Sequence, residues 1–262
     1  MDRRLYGRYP YRAVAIHGGP GAPGSVSTLA IGLSAGMGTM EPFQTATTVM
    51  GQVDELAEQI IEVNNDEMFI FGHSWGAWLA YLLAHKYPSL VKKAFLIGSG
   101  ALDRKYLDEM TGRRLSRLSI KERQEYYRIL KHLPGAEDHL KDALLIRLGE
   151  LAEKSDNYCV EDIPENKESL VTIDGKLYQS IWPEAAKLRD DGYLVSIARE
   201  IAKPIRIIHG SNDSTPISAV VEPIKTLMKD LKWYEIEKCG HCPWKEKYGK
   251  HSFYQIIESE LY

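Results

Sequence analysis

Cysteine is scarce, with three in 262 residues, too few for a disulfide framework in a chain of this length. Long apolar runs are missing: no stretch approaches the roughly 18 uncharged residues of a membrane span. Neither sign of charge dominates, since 33 lysines and arginines stand against 36 aspartates and glutamates, a net charge of −3. Without a basic surplus no nucleic-acid partner is indicated, and no acidic tail stands out. The stretch from Met1 to Tyr9 has three arginines, one aspartate and no apolar run, so no secretory signal is visible. Repeats and low-complexity tracts are absent as well. These absences leave a soluble, cytoplasmic protein with neither membrane nor nucleic acid as partner as the expectation. What is present is ordinary for a globular chain: 44% hydrophobic and 26% charged residues. The length suits one large domain, or one domain carrying an insertion.

Short apolar runs alternate with amphipathic ones, the pattern of parallel strands joined by helices. Strands are expected at Tyr11 to Ile16, Met37 to Phe43, Met68 to Phe71, Lys93 to Ile97, Ile205 to Ile208 and Trp233 to Ile236. Helices are expected at Ser25 to Leu33, Val49 to Val63, Trp75 to Tyr87, Ile217 to Leu231 and Tyr248 to Leu261. Residues 102–203 differ: they are charged and helix-prone, with Leu115, Leu118, Leu130, Leu133, Leu144, Leu145 and Leu148 at helical intervals. The expected architecture is therefore a mostly parallel α/β sheet flanked by helices. Core segments 1–101 and 204–262 would be separated by a helical insertion, 102–203.

Gly72-His73-Ser74-Trp75-Gly76 fits the G-x-S-x-G pattern of a nucleophile elbow, between an apolar strand and a helix. A serine exposed on so tight a turn needs small residues two before and two after it. A capping serine at a helix N-terminus is the plainer reading of the same five residues. Serine also needs a base oriented by a third group. Asp213, in His209-Gly210-Ser211-Asn212-Asp213, follows one later strand, and His241, in Cys239-Gly240-His241, follows the next. Ser, Asp and His thus occur in α/β-hydrolase order, each at the carboxyl end of a strand, where open α/β sheets build their sites. Acyl transfer also needs backbone N–H donors for the developing oxyanion. Trp75 can supply one, and the glycine-rich His17-Gly18-Gly19-Pro20-Gly21 loop another. Pro20 has no N–H, so Gly18 or Gly19 must donate, with Gly19 favoured.

The set HGGPG, GHSWG, HGSND and CGH resembles the α/β-hydrolase superfamily, and HGGPG in particular looks like its proline-iminopeptidase branch. The resemblance implies Ser74 as nucleophile, His241 as general base, Asp213 as its orienting acid, and Gly19 and Trp75 as the oxyanion hole. It also implies that the insertion is a cap domain roofing the pocket. Two departures stand out. Where the branch carries an acidic-Gln-Arg-Gly stretch, this chain reads Met40-Glu41-Pro42-Phe43-Gln44, and only about ten residues precede Tyr11, a shortened N-terminus. No motif matches the cap acids that hold a substrate amine; Glu150 and Glu153 are candidates, though a solvated helix face is the plainer reading.

Gln44, in the first core segment, and Trp182 are further pocket candidates; Trp182 belongs to the insertion, which carries Tyr126, Tyr127, Tyr158, Tyr178 and Tyr193 as well but no phenylalanine. Asp103 is the alternative acid. His17 and His73 read as braces of their turns. Cys239 and Cys242 have the spacing of a disulfide oxidoreductase, but too little chain follows for that fold, and no metal-ligand set accompanies them. The expected activity is cofactor-free hydrolysis of a small ester, amide or short peptide. A proline-iminopeptidase-like aminopeptidase is the alternative, and a non-catalytic small-ligand binding protein ranks below both.

Overall fold

A computed structural model describes residues 2–64, 66–161 and 173–261. Seven strands form one sheet: β1 (Arg3–Tyr6), β2 (Tyr11–Ile16), β3 (Gly38–Pro42), β4 (Met68–His73), β5 (Val91–Ile97), β6 (Ile205–Gly210) and β7 (Leu231–Ile236). Their spatial order is β1-β3-β2-β4-β5-β6-β7, and every pairing is parallel except β1 with β3. The polar N-terminal segment therefore supplies one antiparallel edge strand. No apolar alternation announces β1, because an edge strand buries little.

Helices α1 (Ser27–Ser34), α2 (Val49–Val63) and α3 (Trp75–Lys86) connect the first half of the sheet. Alternation along each strand sends side chains to opposite faces. Val14, Ile16, Ile70, Leu96 and Ile207 face α2 and α3. Ala13, Ala15, Phe71, Phe95 and Ile208 instead face α1 and the last helix, α10 (Lys250–Glu260). Helix α3 is buried on every side from Trp75 to Ala84, which explains its unbroken apolar sequence.

Between β5 and β6 the described residues form α4 (Leu107–Ser116), α5 (Ile120–His132), α6 (Asp138–Asp156), α7 (Gly175–Asp190) and α8 (Tyr193–Ser196). Ser119 starts α5 with a reciprocal capping box to Glu122. Leu118, Tyr126, Ile129 and Leu151 make a small core of their own, whereas Leu177, Ile181 and Ala185 of α7 join the main one. Leu130, expected in that apolar pattern, is 40% exposed. The helix expected over 217–231 is also much shorter: α9 spans only Ser218–Val221. Pro223 has no N–H to continue the ladder, and the chain goes on in turns.

At the edge of the sheet away from the strand carboxyl ends, the Glu260 carboxylate is buried among cations. It accepts from Arg206 Nε (2.5 Å), Lys93 Nζ (3.0 Å), Lys232 Nζ (3.0 Å) and the Tyr234 hydroxyl (2.5 Å). Burial alone would raise its pKa, but these partners hold it well below the usual carboxylate range. Glu260→Ala leaves the buried Arg206 guanidinium with Asp230 (2.7 Å) as its remaining carboxylate and is expected to cost about 3 kcal/mol, read as a lower urea midpoint. For the same reason the stabilisation is present above the unfolded carboxylate pKa and is lost as pH falls.

Candidate active site

Parallel pairing brings the carboxyl ends of β2, β4, β5, β6 and β7 to one edge, and the loops leaving them meet there. Ser74 follows β4 with φ +54° and ψ −113°, torsions that an L-residue adopts only under strain. Two glycines allow the turn. A Cβ at Gly72 would lie 2.1 Å from the Gly76 carbonyl oxygen, and one at Gly76 would lie 2.3 Å from that of Ile16. Ser74 N–H donates to the Ile97 carbonyl (2.9 Å), fixing the turn to the end of β5. One residue later the chain passes beside His241: a Cβ at Gly98 would sit 3.1 Å from His241 Nδ1.

Asp213, fully buried after β6, accepts from His241 Nδ1–H at 2.7 Å through Oδ2 and from Thr215 N–H at 3.0 Å through Oδ1. A carboxylate only accepts, so the proton sits on Nδ1 and Nε2 is left basic. His209 Nε2 donates to the Thr215 carbonyl (2.8 Å) and lies 3.3 Å from the same Oδ2. Burial works against the Asp213 charge, yet His241, His209 and the Thr215 N–H together hold its pKa down. Burial also disfavours a charged His241, but Asp213 outweighs it and raises the imidazole above its ordinary value. Among the described residues the Ser74 hydroxyl has no hydrogen-bond partner, so the Asp213–His241 link is closed and the Ser74–His241 link is not. Such contacts commonly tighten only when substrate binds.

His73 points behind the turn, as expected: Nε2 donates to the His241 carbonyl (3.0 Å), and its ring lies 4.6 Å from that of His241 and 4.7 Å from Trp244. In the loop after β2, Gly18 N–H donates to Ser25 Oγ (3.3 Å). Pro20 has no N–H, and the N–H of Gly19, at φ +116°, has no acceptor among the described residues and stays available. His17 braces the loop through Nδ1–H to the Gly18 carbonyl (2.7 Å), and burial lowers its pKa to about 4, keeping the ring neutral. Trp75 opens α3, where a first-turn N–H has no intrahelical acceptor.

The remaining candidates separate. Gln44 is buried after β3, with Nε2 on the Pro42 carbonyl (3.3 Å) and Oε1 unpartnered. Trp182 stacks between Trp78 of α3 (6.5 Å) and Tyr178 (5.8 Å). Tyr178 in turn lies beside the glycine loop, where the Gly21 carbonyl accepts from Asp174 N–H (2.9 Å). Asp103 caps a short turn through Lys105 N–H and lines a separate 430 Å³ cavity with Arg189 and Arg199. Glu150 and Glu153 are both exposed, and Glu150 pairs with Arg147 (2.6 Å). Burial raises both motif thiols, that of Cys242 to about 12, the reverse of a reactive redox cysteine. No cluster of three or more His, Cys, Asp or Glu that could hold a metal ion is present among the described residues.

His209 as a second partner of Asp213, Ser25 under the glycine loop and the α4–α6 contacts described below went unread in the sequence. His209 stands in the HGSND run, four residues before the acid, and that spacing is the one signal that pointed to it.

A family model described as alpha/beta hydrolase fold matches residues 41–248. No curated protein matches the chain in sequence. Among solved structures, that of VinJ is similar at TM-score 0.70 and 18% identity, over 99% of this chain and 93% of that one. A putative lipase from Acinetobacter baumannii AYE matches at TM-score 0.64 and 21% identity, over 99% and 86%. A proline iminopeptidase from Mycobacterium smegmatis matches at TM-score 0.65 and 15% identity, over 99% and 93%.

Proposed function

Because this chain belongs to the alpha/beta hydrolase fold family, we propose that it is a serine hydrolase cleaving a small ester or amide through an acyl-enzyme. The observation that carries the reading is the contact of the buried Asp213 with His241 at 2.7 Å beside a serine on a strained strand–helix turn. In the reaction, Ser74 rotates its hydroxyl onto His241 Nε2, which takes the proton as the oxygen attacks the substrate carbonyl. Gly19 and Trp75 N–H groups receive the oxyanion, and Asp213 stabilises the imidazolium without taking its proton. His241 then protonates the leaving alcohol or amine. Water, activated by the same ring, releases the acid and restores Ser74. The helices between β5 and β6 serve as the cap, with the Tyr178–Trp182–Trp78 stack at its seam with the core.

Labelling by a fluorophosphonate probe, lost in Ser74→Ala, tests the reading. An unlabelled wild type would instead mark a binding protein. Within the hydrolase reading, p-nitrophenyl acetate against prolyl-p-nitroanilide separates esterase from aminopeptidase. The esterase outcome is expected, because Glu150 and Glu153, the candidate amine-holding acids, are solvated. The pH dependence follows from His241. Catalysis needs its neutral form and its pKa is raised, so kcat/KM is expected to fall on the acid side with a midpoint above about 6.5. A midpoint below about 6 would contradict it.

A further inference from the structure

Both loops that carry the base and its acid are gripped from the helices between β5 and β6. The His241 N–H donates to the Asp156 carbonyl (2.9 Å) at the end of α6. The Asp156 carboxylate, on a residue only 3% exposed, takes Arg114 in bidentate fashion, Nε to Oδ1 at 3.0 Å and Nη2 to Oδ2 at 2.6 Å. Arg114 Nη2 also donates to Ser214 Oγ (3.1 Å), next to Asp213. Arg113 donates to the Ser211 carbonyl (2.8 Å), and Arg117 to those of Ser155 (2.8 Å) and Asn212. On the histidine side, Asn157 Oδ1 accepts from Cys242 N–H (3.1 Å). The fully buried Glu246 joins Gly240 N–H (2.9 Å) to Tyr158 N–H (2.7 Å) and Cys159 N–H (2.6 Å). The approach is so close that a Cβ at Gly240 would meet the Asp156 carbonyl oxygen at 2.4 Å, which gives a reason for glycine in the CGH run.

Resting on the serine-hydrolase reading, we propose that Asp156 and Arg114 are positioning residues: as one ion pair they set where the His241 ring stands over Ser74 and balance the charge it carries. The charged and titratable groups around the ring include Asp213 from the loop after β6, His209 from the end of β6 itself, His73 from the elbow, Arg114 from α4 and Asp156 from α6, with Lys245 and Arg117 further out. Asp156 favours the imidazolium and Arg114 opposes it, so the intact pair leaves Asp213 in control. Splitting the pair breaks that balance in opposite directions. A purely structural strut has no reason to do so.

The test measures kcat/KM against pH with p-nitrophenyl acetate for wild type, Asp156→Asn, Arg114→Gln and the double variant. Wild-type labelling at Ser74 is checked first, and its failure would sink the hydrolase reading rather than this one. Asp156→Asn leaves Arg114 unopposed, so the acid limb is expected to move down by about half a pH unit or more. Arg114→Gln leaves Asp156 unopposed and is expected to move the limb up by about as much. The double variant is expected to return near the wild-type limb while staying about tenfold or more slower, because the end of α6 that holds the His241 N–H is no longer tied through Arg114 to Ser214. Limbs that stay put, or that move the same way in both single variants, overturn the proposal. Should Asp156→Asn fail to fold, Arg114→Gln against Arg114→Lys carries the test. Lysine is then expected to restore the limb but not the rate, and a limb left shifted in the lysine variant overturns the proposal.

Discussion

Ser74→Ala is expected to lower ester turnover by about 10⁶-fold, the scale seen when the nucleophile of a serine hydrolase is removed. Fluorophosphonate labelling should vanish with it. The reason is chemical: in the proposed mechanism no acyl-enzyme forms without the hydroxyl, and the N–H groups assigned to the oxyanion, those of Gly19 and Trp75, would only bind substrate. The same position carries a stability corollary. At φ +54° serine stands where glycine is relaxed, so Ser74→Gly is expected to be as inactive as alanine yet more stable by about 1–3 kcal/mol. A urea titration of the wild type and the two variants reads this directly. A glycine variant less stable than wild type would mean that the strain is not borne at this residue.

Asp213→Asn is expected to cost about 10⁴ in kcat. An amide at this position can present N–H to Nδ1 and leave the proton of the ring on Nε2, the nitrogen that accepts from Ser74 in the proposed mechanism. It also removes the charge that raises His241, so the acid limb of the residual activity should move to lower pH than in the wild type. Both effects come from one carboxylate oxygen, Oδ2, shared by His241 and His209. His209→Gln isolates the smaller contribution. It should change activity far less than Asp213→Asn, because His209 donates chiefly to the Thr215 carbonyl.

Much of this is legible in the sequence. Val49–Val63 and Tyr11–Ile16 form over the residues expected, since an amphipathic helix and a short apolar strand each announce themselves through local periodicity. Strand β1 is not legible, because two arginines and a tyrosine on a sheet edge leave no alternation. The shortened α9 shows the opposite failure: apolar residues from Ile217 onward keep a helical spacing, and Pro223 ends the helix all the same.

The site divides along the same line. The sequence by itself determined which residue types stand after which strands, and in what order, because strand, turn and helix signals are local. It also determined the glycines of the elbow, since a five-residue turn dictates its own small positions. Only the tertiary structure decided that Asp213 and His241 lie 2.7 Å apart, that Arg114 and Asp156 stand behind them, and that Trp182 packs on Trp78. Those contacts join segments far apart in the chain. Their geometry is set by how helices α4–α7 pack against the loops of the sheet, and no periodicity within either segment records it.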